Sequence, residues 1–214
     1  MLIGVFDSGL GGHFVAARLR NLMTDHEFTV VDDHDHVPYG DRAEREIVRL
    51  TETALQPLLK KTKVIVIACN TATAVGIDYL RDKYPGHQFV GFEPMIKPLS
   101  TMTKRGAILA TKATIESERY QALKQLFHGA TDIKEPDTTD WATNIENGRT
   151  DAIRYDELDQ MVIHGVDLIA LSCTHYLEIE DYLRKRYDGL ATIIEPTTAV
   201  ADRLRVVIDS LPQQ

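Results

Sequence analysis

The chain of 214 residues contains two thiols, Cys69 and Cys173. Each closes an apolar run and precedes small hydrogen-bonding residues, in "VIACNTATA" (66–74) and "LSCTHY" (171–176). Alone, such a cysteine reads as a small buried hydrophobe. At a strand end before a helix, free backbone N–H groups and the helix dipole favour an anion and lower a thiol pKa. Two thiols in like settings, without a CxxC or a disulfide framework, suit a proton donor and acceptor on opposite faces of one carbon. Taking a proton from one face and returning one from the other inverts a stereocentre. That is racemisation or epimerisation without a cofactor. The carbon is a weak acid, so fixed donors around a carboxylate and exclusion of water must stabilise the carbanion-like state.

Such chemistry needs elements that bring both thiols to one cleft. Short Val/Ile-rich runs occur at 2–7, 28–33, 64–69, 89–93, 106–111, 167–173 and 191–196. Helix-like segments lie between them, at 11–23, 41–61, 71–84, 115–127, 150–163, 176–187 and 197–211. Strands without polar alternation, separated by helices, predict a buried parallel sheet in an α/β fold. Ligands bind at the strand C-termini of such sheets. The polar residues that close these runs are Asp7-Ser8, Cys69-Asn70-Thr71, Thr111 and Cys173-Thr174-His175, and they are expected to share a cleft or a pair of facing clefts.

The cysteines are 104 residues apart, and the same shift carries Asp7 onto Thr111. "FEP" ending at Pro94 and "IEP" ending at Pro196 lie 102 apart. The spacing predicts two similar α/β halves, with the active site in the cleft between them. The first is 1–98 with the last strand and helix (194–214) packed back on it, and the second is 99–193. Backbone amides and the Ser, Thr and Asn side chains at the strand ends could hold a carboxylate, and Asp7 an ammonium group. "HVPYGDR" (36–42) is a turn that could offer amides to a carboxylate or serve only as a loop.

Composition narrows the function. A formal charge of −8 disfavours nucleic-acid and anionic-membrane partners. No run approaches a transmembrane helix, and "MLIGVFDSGLGG" lacks a basic start and a cleavage site, so a cytoplasmic protein is expected. "FDSGLGG" (6–12) has neither the GxGxxG spacing nor a P-loop lysine, which argues against phosphate binding. "DDHDH" (32–36) reads as a solvated turn rather than a metal site, and Trp141 as packing.

The motifs "IGVFDSGLGG" (3–12), "VPYGD" (37–41), "VIACNTATA" (66–74), "GFEPMIKP" (91–98), "LATKATIES" (109–117), "ENG" (146–148) and "CTHY" (173–176) stand in order along nearly the whole chain. In them the sequence resembles the glutamate racemases of the aspartate/glutamate racemase superfamily. The resemblance implies two pseudosymmetric α/β halves, no cofactor, no metal, a small-molecule substrate, and a possible homodimer. It implies interconversion of L- and D-glutamate, supplying D-glutamate for peptidoglycan. Cys69 would act on the D isomer and Cys173 on the L isomer. Asp7, His175 and Glu146 would assist the proton transfers. Asp7, Ser8, Tyr39, Gly40, Asn70, Thr71, Thr111, Thr114, Thr174 and His175 would surround the substrate. The chain departs from the family pattern at 128–145, in "DDHDH", at His13 and Phe14, after "HY", and at Ser172, where glycine is usual. A racemase for another acidic amino acid and a catalytically silent ligand-binding paralogue are the alternatives.

Overall fold

The computed structural model describes residues 1–127, 129 and 131–211. Four strands form one parallel sheet in the order β2-β1-β3-β4: β1 (Leu2–Asp7), β2 (Glu27–Asp32), β3 (Val64–Ile67) and β4 (Gln88–Gly91). Four more form a second parallel sheet in the order β6-β5-β7-β8: β5 (Arg105–Ala110), β6 (Asp132–Lys134), β7 (Leu168–Ser172) and β8 (Thr192–Ile194). The second order repeats the first, strand for strand. Each sheet is buried on both faces, so its strands carry apolar residues at odd and even positions alike. Along β3 and the two residues after it, Val64, Val66 and Ala68 join one core, while Ile65, Ile67 and Cys69 join another.

The crossovers are helical. In the first half they are α1 (Gly11–Leu22), α2 (Glu44–Leu59) and α3 (Asn70–Lys83). α2 buries Ile47, Leu50, Leu55 and Leu58, a stripe at helical spacing. α4 (Ile96–Met102) follows β4, and α5 (Lys112–Glu116) and α6 (Glu118–Phe127) follow β5. Then come α7 (Trp141–Glu146), α8 (Asp156–Ile163), α9 (Glu180–Arg186) and α10 (Thr197–Asp209). No helix of the described residues is long and apolar enough to cross a membrane.

The helices after the fourth strand of each half change sides. Met95, Ile96 and Leu99, around α4, pack with Ile108, Ala110, Leu168 and Ala170 of the second sheet. α10 packs on α1 and β4 of the first half. One expectation therefore needs correcting: the last strand does not pack back on the first half. β8 pairs with β7, Leu168 opposite Thr192, and only the helix that follows crosses over. Residues 212–214 of that segment lie outside the described residues.

Some elements differ from the expected pattern. β6 is a three-residue strand, Asp-Ile-Lys, at a sheet edge, too short and polar to stand out. α4 carries Pro98 in its first turn, where a missing N–H has no intrahelical partner to lose. The segment expected as one helix over 150–163 is a 3-10 turn at Thr150–Ala152 followed by α8. The segment over 176–187 is likewise a 3-10 turn at Thr174–Leu177 followed by α9.

Ser172, the departure from glycine beside Cys173, has a structural use. Its hydroxyl accepts a 3.1 Å bond from the Met95 backbone N–H at the start of α4, and both residues are buried. Ser172→Ala leaves that amide unpaired, at a cost of about 1–2 kcal/mol. Urea unfolding should show that loss in the midpoint with an unchanged slope. An unaltered midpoint would show that the bond contributes nothing.

Candidate active site

Both sheets turn their strand C-termini towards the same interior region, and the residues closing them meet there. β1 ends in Asp7, which is fully buried. Its Oδ1 accepts from the Gly9 N–H at 2.9 Å. Its Oδ2 accepts from the Thr174 hydroxyl at 2.9 Å, across the boundary between the halves. Burial pushes the Asp7 carboxyl up to about 6, although the His175 charge and these two donors oppose the rise.

The glycines after Asp7 allow this closeness. A Cβ on Gly11 would collide with the Thr174 side chain and main chain. The glycine-rich turn is thus a point where two main chains touch. Gly40 serves similarly: a Cβ there would lie 2.8 Å from Thr111 Cβ, and its carbonyl accepts from the Ala113 N–H at 3.1 Å.

Cys69 follows β3 as the N-cap of α3, and its Sγ accepts from the Ala72 N–H at 3.4 Å. The Ser8 hydroxyl lies 3.4 Å from the same sulfur. The expected lowering of this thiol's pKa does not occur. Burial, reinforced by the Asp7 charge, raises it to about 12, and the Ser8 and Ala72 hydrogen bonds recover only part.

Cys173 stands differently. It precedes a four-residue 3-10 turn, makes no cap bond, and has its Sγ 3.7 Å from His175 Nδ1. The two settings expected to match are therefore unlike. Cys69 faces backbone and a hydroxyl, whereas Cys173 faces an imidazole. His175 Nε2 lies 2.5 Å from Glu146 Oε2, at the end of α7. Burial disfavours a charged His175, but the hydrogen bonds with Cys173 and Glu146 outweigh it and raise its pKa well above the usual value. Burial likewise opposes ionisation of Glu146, yet the His175 bond and charge, with the Leu10 N–H, hold its carboxyl below the usual range. Cys173, His175 and Glu146 form a relay in which the carboxylate orients and charges the ring that serves the thiol.

Thr71, Thr111 and Thr114 close a triangle of hydroxyls at 2.9, 3.0 and 3.3 Å, spanning the two halves. All three are buried. Asn70 gives its side-chain N–H to the Phe92 carbonyl at 2.9 Å, so part of its capacity is structural. Tyr39 is buried and donates to Asp33 Oδ2 at 2.7 Å. Burial and this carboxylate push the phenol pKa up.

The turn at 32–36 is mostly exposed, as expected, but two of its residues touch buried groups. Asp33 holds Tyr39, and His34 lies against Glu146. Sequence reasoning passed over both. The signal was their position directly before "VPYG". Trp141 packs edge-on against Tyr155 and Tyr176, which fixes the start of α7. The surface cleft lined by Val75, Asp78, Arg119 and Leu123 does not include either thiol.

The model of the Asp/Glu/Hydantoin racemase family matches residues 14–204. The chain belongs to that family. Among curated racemases, it is 33% identical to the glutamate racemase of Pseudomonas aeruginosa (strain UCBPP-PA14), over 97% of this chain and 82% of that protein. It is 37% identical to the glutamate racemase of Herpetosiphon aurantiacus, over 94% of this chain and 79% of that protein. Among solved structures, the fold is similar to Escherichia coli glutamate racemase in complex with L-glutamate and an activator. The TM-score there is 0.85 at 24% identity, covering 100% of this chain and 84% of that one. As a member of this racemase family, the chain is an isomerase.

Proposed function

We propose that this racemase interconverts L- and D-glutamate without a cofactor, and that Cys69 and Cys173 exchange the α-proton from opposite faces. The observation that carries this reading is the unlike environment of the two thiols. Cys69 is held as a neutral thiol, a proton donor at rest. Cys173 faces a histidine that the Glu146 carboxylate keeps charged, and an imidazolium stabilises a thiolate when one forms. The resting site therefore suits the L isomer: Cys173 removes its α-proton and Cys69 supplies one from the other side. Afterwards the roles are exchanged, and the D isomer is the one accepted. Asp7 offers its carboxylate to the ammonium group. The Thr71, Thr111 and Thr114 hydroxyls and the Ser8 and Thr174 side chains offer donors to carboxylate oxygens. Both thiols are buried, so the halves must part for substrate to enter, and their closing excludes water from the carbanion-like state. D-Glutamate made in this way would serve peptidoglycan synthesis.

The test is exchange at the α-carbon. Incubation with L-glutamate, and separately with D-glutamate, in D₂O should replace the α-proton and yield the other enantiomer, read by NMR and chiral chromatography. Inversion of aspartate in place of glutamate would move the assignment to another acidic amino acid. Binding without exchange of either would replace the racemase reading with a ligand-binding one.

A further inference from the structure

Glu146 has only 6% of its side chain accessible. One oxygen, Oε2, is engaged by His175 and, at 3.4 Å, by the Leu10 N–H. The other, Oε1, receives no hydrogen bond among the described residues. Beside it stands His34, whose Nδ1 lies 3.0 Å away, outside hydrogen-bonding geometry and at ion-pair distance. The main chain also presses on this carboxylate: a Cβ on Gly9 would lie 2.8 Å from Oε2. The carboxylate thus has a ring on either side, one buried and one 63% exposed.

We propose that His34 is a positioning residue for the Cys173 side of the reaction, holding the Glu146 carboxylate charged and oriented against His175. The argument is one of compensation. A carboxylate this buried, with one oxygen bare, favours its neutral form or turns away. Neutral, it no longer sustains an imidazolium on His175, and Cys173 loses the charge that stabilises its thiolate. A cation at Oε1 adds to the His175 bond and charge and the Leu10 N–H in opposing both outcomes. The other histidines near this turn are committed elsewhere: His36 to Asp33 at 2.8 Å, and His13 to Asp32 at 3.0 Å. His34 therefore acts on Cys173 through two intervening groups and has no corresponding link to Cys69. The name given to the Cys173 side rests on the two-thiol reading above, but the measurement does not.

The experiment is alkylation of the intact protein by iodoacetamide, with the two modified peptides quantified by mass spectrometry. Both thiols share any opening of the site, so the Cys173-to-Cys69 rate ratio cancels it. His34→Ala should lower that ratio by about threefold to fivefold, the scale of a half-exposed ion pair. His34→Lys, which restores a cation, should keep it within about twofold. His13→Ala, on the neighbouring Asp32, should leave it unchanged. An unaltered ratio in His34→Ala would overturn the proposal. So would an equal fall in His34→Lys, which would mean shape rather than charge. Alkylation needs no turnover, so the ratio stays readable even if the protein inverts no amino acid.

Discussion

Replacing either thiol, by Cys69→Ala or Cys173→Ala, is expected to abolish inversion, with a loss of about 10³-fold or more, the scale of a general acid–base group whose partner cannot substitute for it. The two losses should be equal in extent and different in kind. Cys69→Ala keeps the relay of Cys173, His175 and Glu146. It can still take the α-proton of the L isomer and return a solvent-derived one to the same face. In D₂O the L substrate should then acquire deuterium with retention, while the D substrate stays inert. Cys173→Ala should show the opposite preference, more weakly, since Cys69 is held as a neutral thiol by its burial and by the Asp7 charge. Neither variant should lose stability beyond about 1 kcal/mol, because a small buried side chain is shortened by one atom. Inversion surviving in either variant would sink the two-thiol mechanism, and exchange of both isomers by one variant would sink the assignment of one thiol to each face.

Asp7→Asn should remove activity and strengthen the fold. The carboxyl is fully buried, and desolvation raises its pKa to about 6, against the opposing His175 charge and its Gly9 and Thr174 hydrogen bonds. The sign follows from linkage. A carboxyl pKa higher in the folded than in the unfolded state means that the folded state binds the extra proton between the two values. Its contribution to stability is complete below the ordinary carboxyl pKa and is lost as pH rises through about 6. At pH 7 the ionised Asp7 costs about 3 kcal/mol as an upper value, from the size of the shift. Asparagine keeps the shape and an acceptor but carries no charge. The variant should be more stable by about 1–3 kcal/mol near pH 7, with the advantage vanishing near pH 4. For a chain of this size, the midpoint should rise by about 2–4 °C per kcal/mol. Thermal unfolding at the two pH values measures the difference directly. An advantage that persists at the acid value, or a loss at the neutral one, would refute the account. The gain would mark a charge kept for chemistry at the expense of stability.

The sheets were legible because both faces of the inner strands are apolar, which leaves continuous runs such as "VIVIA" and "LIALS". The repeat was legible because equivalent strands end in polar residues at a constant shift. β6 was not, because an edge strand of Asp132, Ile133 and Lys134 has no run to show. At the site, strand ends are local features, so Asp7, Ser8, Cys69, Thr111 and Cys173 could be found from spacing. The contrast between the thiols could not. It depends on Ala72 turning its N–H to one sulfur, and on His175 turning its ring to the other. The partners of Glu146 come from the 9–10 turn, the 34–36 turn and the 174–177 turn, far apart in the chain. Only the assembled fold brings them together.

The exchange of α4 and α10 between the halves has a consequence for how the molecule comes apart. Cutting the chain near residue 103, between α4 and β5, would produce two fragments, each deprived of a helix that completes its own sheet and burdened with one that belongs to the other. Neither fragment should hold a native core alone, and mixing them should regenerate it by complementation. For the uncut chain, unfolding should proceed as one cooperative event rather than half by half. An opening of the active site is then a hinge motion between bodies already tied at two points, and it can admit a substrate without releasing either body from the other.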